Sequence, residues 1–272
     1  MEKVFKKLTV FLSGLLIVTT VFLIFVIPTY IRSERKIDFF SSNQIVDNVK
    51  NMEINMTSII YVQNKKGDWV EYQRLHGTEN RIWVSFDKMP KYLGEAFVAI
   101  EDEHFWENSG VDWKRTAGAI ANRLLKFNPT EFGGSTITQQ LIKNVTNDRD
   151  RDAMRKIREI VRALLISKNL SKTEILEAYL NTIPLANGIC GVQVAANYYF
   201  NKDVSELTLT ESAALAAITN NPSKYNPLTE KGAEQNEKRR RLVLDKMLEL
   251  GKITYEEYDK AYNEKLKLDD SQ

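Results

Sequence analysis

Residues 8–27 run for twenty positions without a charged side chain, through a Leu-, Ile-, Val- and Phe-rich stretch that Pro28 ends. At 1.5 Å per residue, about 20 helical residues cover roughly 30 Å, the thickness of a bilayer's hydrocarbon core. A cleaved signal peptide would have a shorter apolar region, about 7–15 residues, followed by small residues. Val26-Ile27-Pro28-Thr29-Tyr30 offers no such site. The stretch therefore reads as a retained transmembrane anchor over residues 8–28, with residues 1–7 on one side of it. Charge alone leaves its orientation open, because Lys3, Lys6 and Lys7 precede it and Arg32, Arg35 and Lys36 follow.

With 272 residues, the chain can build one good-sized domain beside that anchor. Its 38 basic and 36 acidic residues nearly cancel, so bulk charge points to no nucleic-acid partner. A single cysteine, Cys190, excludes an intrachain disulfide framework. Only His76 and His104 are present, without HExxH or CxxC, which argues against a dedicated zinc site. Residues 29–72 read as a stalk with a strand at Ser58 to Val62, a turn at Lys65 to Asp68 and a partner strand near Trp69 to Gln73.

Residues 73–265 form the main domain, and from about Met89 the pattern is helical. Leu93, Phe97 and Ile100 share one stripe. Thr136 with Gln139, Ser171 with Glu174 and Thr254 with Glu257 spell three capping boxes. Amphipathic helices are expected over roughly 153–168 and from Ser171, a buried Ala/Leu-rich helix over Glu206 to Ile218, and two helices flanking Gly251. Residues 266–272 read as a polar tail.

Three constellations could carry chemistry. On the stripe of Leu93, Phe97 and Ile100, Glu101 lies beside the apolar face, while Asp102 points to the opposite side. A carboxylate against apolar surface is poorly solvated, which suits it to accept a proton. The second is Gly133-Gly134-Ser135-Thr136-Ile137-Thr138-Gln139-Gln140-Leu141-Ile142-Lys143-Asn144. Its glycines allow close backbone approach, and the following helix start offers N–H groups to an anion. The third is a helix on which Arg151, Arg155, Arg158, Glu159 and Arg162 fall within about 100° of arc. Four arginines around one carboxylate suit a phosphate or pyrophosphate better than a merely solvated face does.

In order and content these motifs resemble glycosyltransferase family 51, the monofunctional transglycosylases and the glycosyltransferase domains of class A penicillin-binding proteins. The first family motif is Glu101-Asp102-x-x-Phe105 with Gly110 and Asp112, and the second is Gly133 to Asn144. The third is Arg155-Lys156-x-x-Glu159, continuing through Ser171-Lys172 to Ile175-Leu176-Glu177-x-Tyr179-Leu180-Asn181. Gly188-x-x-Gly191-Val192-Gln193 with Tyr199-Phe200-x-Lys202 is the fourth, and Glu211-Ser212-Ala213 followed by Pro222-Ser223-x-Tyr225-Asn226-Pro227 is the fifth. Three places depart from the family pattern: Asn108 stands for a usual His, Pro184-Leu185-Ala186 for Tyr-Leu-Gly, and Asn201 for Gly.

The resemblance implies a mainly α, lysozyme-like glycosyltransferase domain with a small membrane-dipping subdomain at Trp113 to Phe132, behind one transmembrane helix. It implies a bacterial cytoplasmic membrane location with residues 1–7 cytoplasmic and the stalk and domain outside, and polymerisation of lipid II into β-1,4-linked glycan strands for cell-wall synthesis. Glu101 would be the general base. Glu159 would position the acceptor or bind a divalent cation, Mg2+ or Mn2+; the sequence itself requires no cofactor. Lys143, Arg151 and Arg155 would neutralise the departing undecaprenyl pyrophosphate, and Ser135, Gln139, Gln140 and Asn144 would bind the donor. The implied partners are lipid II, the lipid-linked glycan chain, the membrane and other cell-wall synthesis proteins. A catalytically silent assembly scaffold and a lytic transglycosylase are the alternative readings.

Overall fold

In the computed structural model, strand β1 (Ser58–Gln63) pairs antiparallel with β2 (Trp69–Leu75), Gln63 opposite Trp69, with an irregularity between Ile60 and Tyr61. Gly67, at φ +87°, lies in the connection, a conformation that glycine adopts without steric cost. The hairpin forms where its β-branched and aromatic residues predict. The structure describes residues 45–47, 49, 58–63, 67, 69–75, 82–125, 134–146 and 153–269, all within one compact unit. The anchor expected over residues 8–28 lies outside the described residues. Among those described, no helix is long and apolar enough to cross a membrane.

The body of the protein is mostly helical. Helix α1 (Lys91–Glu101) starts after Pro90 and buries Leu93, Phe97 and Ile100, the predicted stripe. Helix α2 (Trp113–Leu125) follows. Helix α3 (Ile137–Thr146) opens on a reciprocal cap: the Gln139 amide donates to Thr136 Oγ1, and the Thr136 amide donates to Gln139 Oε1. Helix α4 spans Ala153–Asn169, and α5 (Lys172–Thr182) carries the predicted Ser171–Glu174 capping box. Helix α6 (Val192–Phe200) stops at Asn201, which is left-handed at φ 52°. Asn is one of the few non-glycine residues at ease there, so this departure from the family's Gly keeps the helix end.

Helix α7 begins later than the sequence suggests. Its span is Leu209–Ile218, and the Glu206 end of the expected helix is instead a 3-10 turn, Val204–Glu206. Thr208 and Glu211 form a capping box that the sequence reading missed, and it fixes the start. All ten residues of α7 are buried; its Ala- and Leu-rich turns lie in the core, and its polar Thr210, Glu211 and Ser212 fall in the first turn, where Glu211 completes the cap. Helices α8 (Glu230–Glu249) and α9 (Tyr255–Asn263) complete the chain of elements, separated by Gly251.

Two packing groups result. Helices α1, α7 and α8 contact one another, and α3 packs on α4 and α5. The Phe97 and Tyr179 rings meet edge to face at 6.1 Å, joining α1 to α5. Beyond α9, Leu266 and Leu268 pack against the core and the Asp269 amide donates to the Tyr199 carbonyl, so the chain stays attached into the expected polar tail.

Candidate active site

Glu101 closes α1 at the junction of the two packing groups. Its side chain is held from both sides: Gln140 Nε2 on α3 donates to Oε2 at 2.7 Å, and Thr219 Oγ1 just beyond α7 donates to Oε1 at 2.5 Å. Glu101 as a whole is 9% exposed. Each carboxylate oxygen has two lone pairs, so the two bonds orient Glu101 and leave acceptor capacity for a substrate hydroxyl. Gln140 is itself oriented, because the Tyr179 hydroxyl donates to its Oε1 at 3.3 Å. Burial first, then the charges of Glu101 and Asp102, push the Tyr179 phenol well above its ordinary range, so it remains a donor.

Asp102 does not turn outward as the wheel position suggests. Helix α1 ends at Glu101, and Asp102 leaves the helical path at φ −155° to become fully buried. Its Oδ2 accepts the Ile137 amide at 3.0 Å, tying the end of α1 to the start of α3. Asn108 Nδ2 donates to both carboxylate oxygens at 3.0 and 3.2 Å. Burial pushes the Asp102 carboxyl up, opposed by the Ile137 amide, Asn108, Arg115 and Lys172. Asn108 also accepts from the Gly110 amide at 2.9 Å and from Lys172 Nζ at 3.1 Å. The Asn that replaces a family His thus joins three segments around Asp102.

Arg115 Nη1 on α2 donates to the Glu101 carbonyl at 2.9 Å, and the Arg115 amide donates to Asp112 Oδ1 at 3.0 Å. His104 Nδ1 lies 3.0 Å from Asp112 Oδ2. Burial alone would raise the Asp112 carboxyl, but the Arg115 amide and His104 outweigh it and hold the group below the usual range.

Glu159 is buried on α4 between two cations. Arg155 Nη1 donates to Oε2 at 2.9 Å, and Lys156 Nζ contacts Oε1. The same Lys156 ammonium donates to Ser135 Oγ at 2.8 Å. Residues of one sequence motif therefore reach both carboxylates: Gln140 touches Glu101, and Ser135 reaches Glu159 through Lys156. The donor set at Glu159 does not fit a divalent cation, since both oxygens already face side-chain cations. Among the described residues no group of three His, Cys, Asp or Glu could hold a metal ion.

The other predicted site residues divide by exposure. Lys143 is exposed on α3, and Gln140 and Asn144 are half-buried. Gln139 is fully buried in the helix cap. Arg151 lies outside the described residues. Arg158 is buried, so the arginine face of α4 is not an evenly solvated stripe. Sequence reasoning passed over Lys156, Thr219 and Tyr179. Lys156 and Tyr179 stand inside the quoted motifs, so their place there was the available signal; Thr219 had none.

A family profile described as Transglycosylase matches residues 68–248. Penicillin-binding protein 1F of Bacillus subtilis is 36% identical over 93% of this chain and 33% of its own length. Penicillin-binding protein 1A of Aquifex aeolicus is 43% identical over 71% of this chain and 27% of its own, and that of Clostridium perfringens 42% over 78% and 31%. The chain thus spans about a third of the length of these relatives. The crystal structure of penicillin-binding protein 1A from Haemophilus influenzae aligns over 79% of this chain and 21% of that one, with 24% identity and a TM-score of 0.43, too weak a likeness to assign the fold.

Proposed function

This chain belongs to the transglycosylase family, and from that premise we propose that it is a peptidoglycan glycosyltransferase polymerising lipid II at the outer face of the bacterial cytoplasmic membrane. The observation that carries the reading is the double reach of the Gly-Gly-Ser-Thr motif, to Glu101 through Gln140 and to Glu159 through Ser135 and Lys156.

In the proposed reaction Glu101 takes the proton of the acceptor's GlcNAc 4-hydroxyl as that oxygen forms a bond to C1 of the donor's MurNAc. The C1–O bond to the diphosphate breaks from the opposite face, so the anomeric centre inverts and the new link is β-1,4. Undecaprenyl pyrophosphate leaves with the bonding electrons. Gln140 and Thr219 hold Glu101 in line. A positioned base of this kind typically contributes about 10²–10⁴-fold.

The leaving group gains negative charge as the bond breaks, and fixed cations nearby favour that state over the ground state. Lys143, Arg155 and Lys156 are the described cations assigned to it, with Arg151 as a fourth. Glu159 holds Arg155 and Lys156 in place and positions the acceptor. Ser135, Gln140 and Asn144 contact the donor, and Gln139 keeps the start of α3 fixed behind them. The domain takes the lysozyme-like form, with α2 as the membrane-dipping part. Its first residues, Trp113 at 57% exposure and the exposed Lys114, pair an aromatic ring with a cation as an interfacial helix does.

The test is incubation of the purified full chain with lipid II, read as glycan strands on a gel together with released undecaprenyl pyrophosphate. Both products are expected. A cooperatively folded chain that consumes no lipid II, or that cleaves preformed glycan instead, overturns the reading.

A further inference from the structure

Glu177 and Asn181 of the third motif direct their hydrogen bonds to the segment that enters the helical body, residues 83–86. Trp83 Nε1 donates to Glu177 Oε1 at 3.0 Å, and the Phe86 amide donates to Oε2 at 2.7 Å. The Val84 amide donates to Asn181 Oδ1, and Asn181 Nδ2 returns a bond to the Val84 carbonyl, both at 2.9 Å. Asn181 is buried, and its Nδ2 also donates to the Glu177 carbonyl at 2.9 Å, which fixes its own orientation. Two side chains one helical turn apart thus satisfy polar groups of a segment that belongs to neither strand, groups that are costly to bury unpaired.

The same segment meets the helix that bears Glu101. Phe86 and Leu176 converge over Gly94: a Cβ on Gly94 would lie 3.2 Å from the Phe86 ring and 3.3 Å from Leu176 Cδ2. Gly94 stands on α1, which ends in Glu101, and Leu176 stands on α5. At about 100° of turn per residue, Glu177 and Asn181 share one side of α5 while Tyr179 takes the other. From that other side the Tyr179 ring meets Phe97 of α1, and its hydroxyl donates to Gln140, whose Nε2 holds Glu101. One helix and two hydrogen bonds therefore separate Glu177 from the base.

We propose that residues 83–86 are a positioning strap for the catalytic base. Clasped by Glu177 and Asn181, the strap sets where α5 sits, and α5 sets the aim of Glu101 through Tyr179 and Gln140. Glu177 is then a positioning residue that touches no substrate. A misplacement of about 1 Å at a reacting group can cost 10²-fold in rate, so loosening the strap acts on turnover rather than on substrate binding. The inference rests on the glycosyltransferase reading and gives the chain's entry segment a part in it.

The test is a double-mutant cycle on the full chain in lipid nanodiscs: initial rates of lipid II polymerisation by wild type, Glu177→Gln, Tyr179→Phe and the double variant, each with a thermal melt. Glu177→Gln sets an amide nitrogen against one of the two donors that the carboxylate accepts from. Its kcat should fall roughly tenfold, with KM within about twofold of wild type. Tyr179→Phe removes the hydroxyl that links α5 to Gln140. In that background Glu177→Gln should change kcat by less than about twofold, because the path to Glu101 is already cut. A fold defect unrelated to Glu101 would instead lower kcat by the same factor in both backgrounds. Should Glu177→Gln fail to fold, Trp83→Phe takes its place in the cycle, since it removes only the indole donor; its kcat should fall roughly threefold. Equal effects in the two backgrounds, a change in KM alone, or unchanged kinetics overturns the strap and leaves the glycosyltransferase reading standing. A folded wild type that leaves lipid II untouched overturns that reading, and the strap with it.

Discussion

At the residue scale the site is a pair of carboxylates serving different ends. Glu101 is oriented but keeps acceptor capacity, whereas Asp102 next to it is spent on Ile137 and Asn108. The hydrophobic stripe made Glu101 legible in the sequence, yet it misplaced Asp102, because the helix ends between them and wheel geometry stops applying. Thr219 was illegible for another reason: it sits 118 residues away and meets Glu101 only through the fold. Exposed Lys143 gives the cleanest residue test. Lys143→Ala should weaken a phosphoglycolipid donor mimic of the moenomycin type by about 10–150-fold in a titration, the usual worth of one charge-assisted contact; unchanged affinity would place the diphosphate elsewhere. Asp112 supplies a pH test. Its folded-state carboxyl lies below the ordinary 3.8, so its stabilising contribution is present above that value and lost as pH falls through the lowered one. The melting-temperature gap between wild type and Asp112→Asn should therefore be widest above about pH 5 and narrow in stronger acid. A gap constant with pH would contradict the account of a stabilised Asp112 carboxylate.

At the element scale, the capping boxes and hydrophobic periodicity that define α1, α3, α5 and α9 were readable because the signals are local. The start of α7 was not, since Glu206 belongs to a turn capped by Asp203 rather than to the helix. Close approach between elements is equally hidden from the sequence. Gly110 has φ +96°, and a Cβ there would lie 2.3 Å from Ser167 Oγ and 2.6 Å from the Ala163 carbonyl on α4. Gly110→Ala should cost at least about 1–3 kcal/mol from the backbone conformation alone, with the clash in addition. Its position beside Asn108 means that activity should fall with stability. Thermal melts check this, and a variant as stable as wild type would mean that α4 yields easily at this contact. The departure at Ala186, left-handed at φ 72° where the family pattern has Gly, shows that this chain tolerates such strain in the loop before Ile189.

At the scale of the whole molecule, the proposed function calls for two independent ties to the membrane: the anchor expected from the sequence over residues 8–28 and the exposed aromatic start of α2. Removing residues 1–30 should release simple anchorage while leaving partial co-flotation with liposomes; a truncated chain wholly in the soluble fraction would argue against a membrane-dipping α2. The assembly of the site is also a property of the whole, because Glu101 is positioned by α3 on one side and by the end of α7 on the other. The most direct measurement compares initial rates of lipid II polymerisation by the wild-type chain and Glu101→Gln, alongside thermal melts of both. A fall of about 10²-fold or more with an unchanged melt is the predicted result, because an amide cannot take the hydroxyl proton. Glycan synthesis by the folded Glu101→Gln variant at near wild-type rate would contradict it.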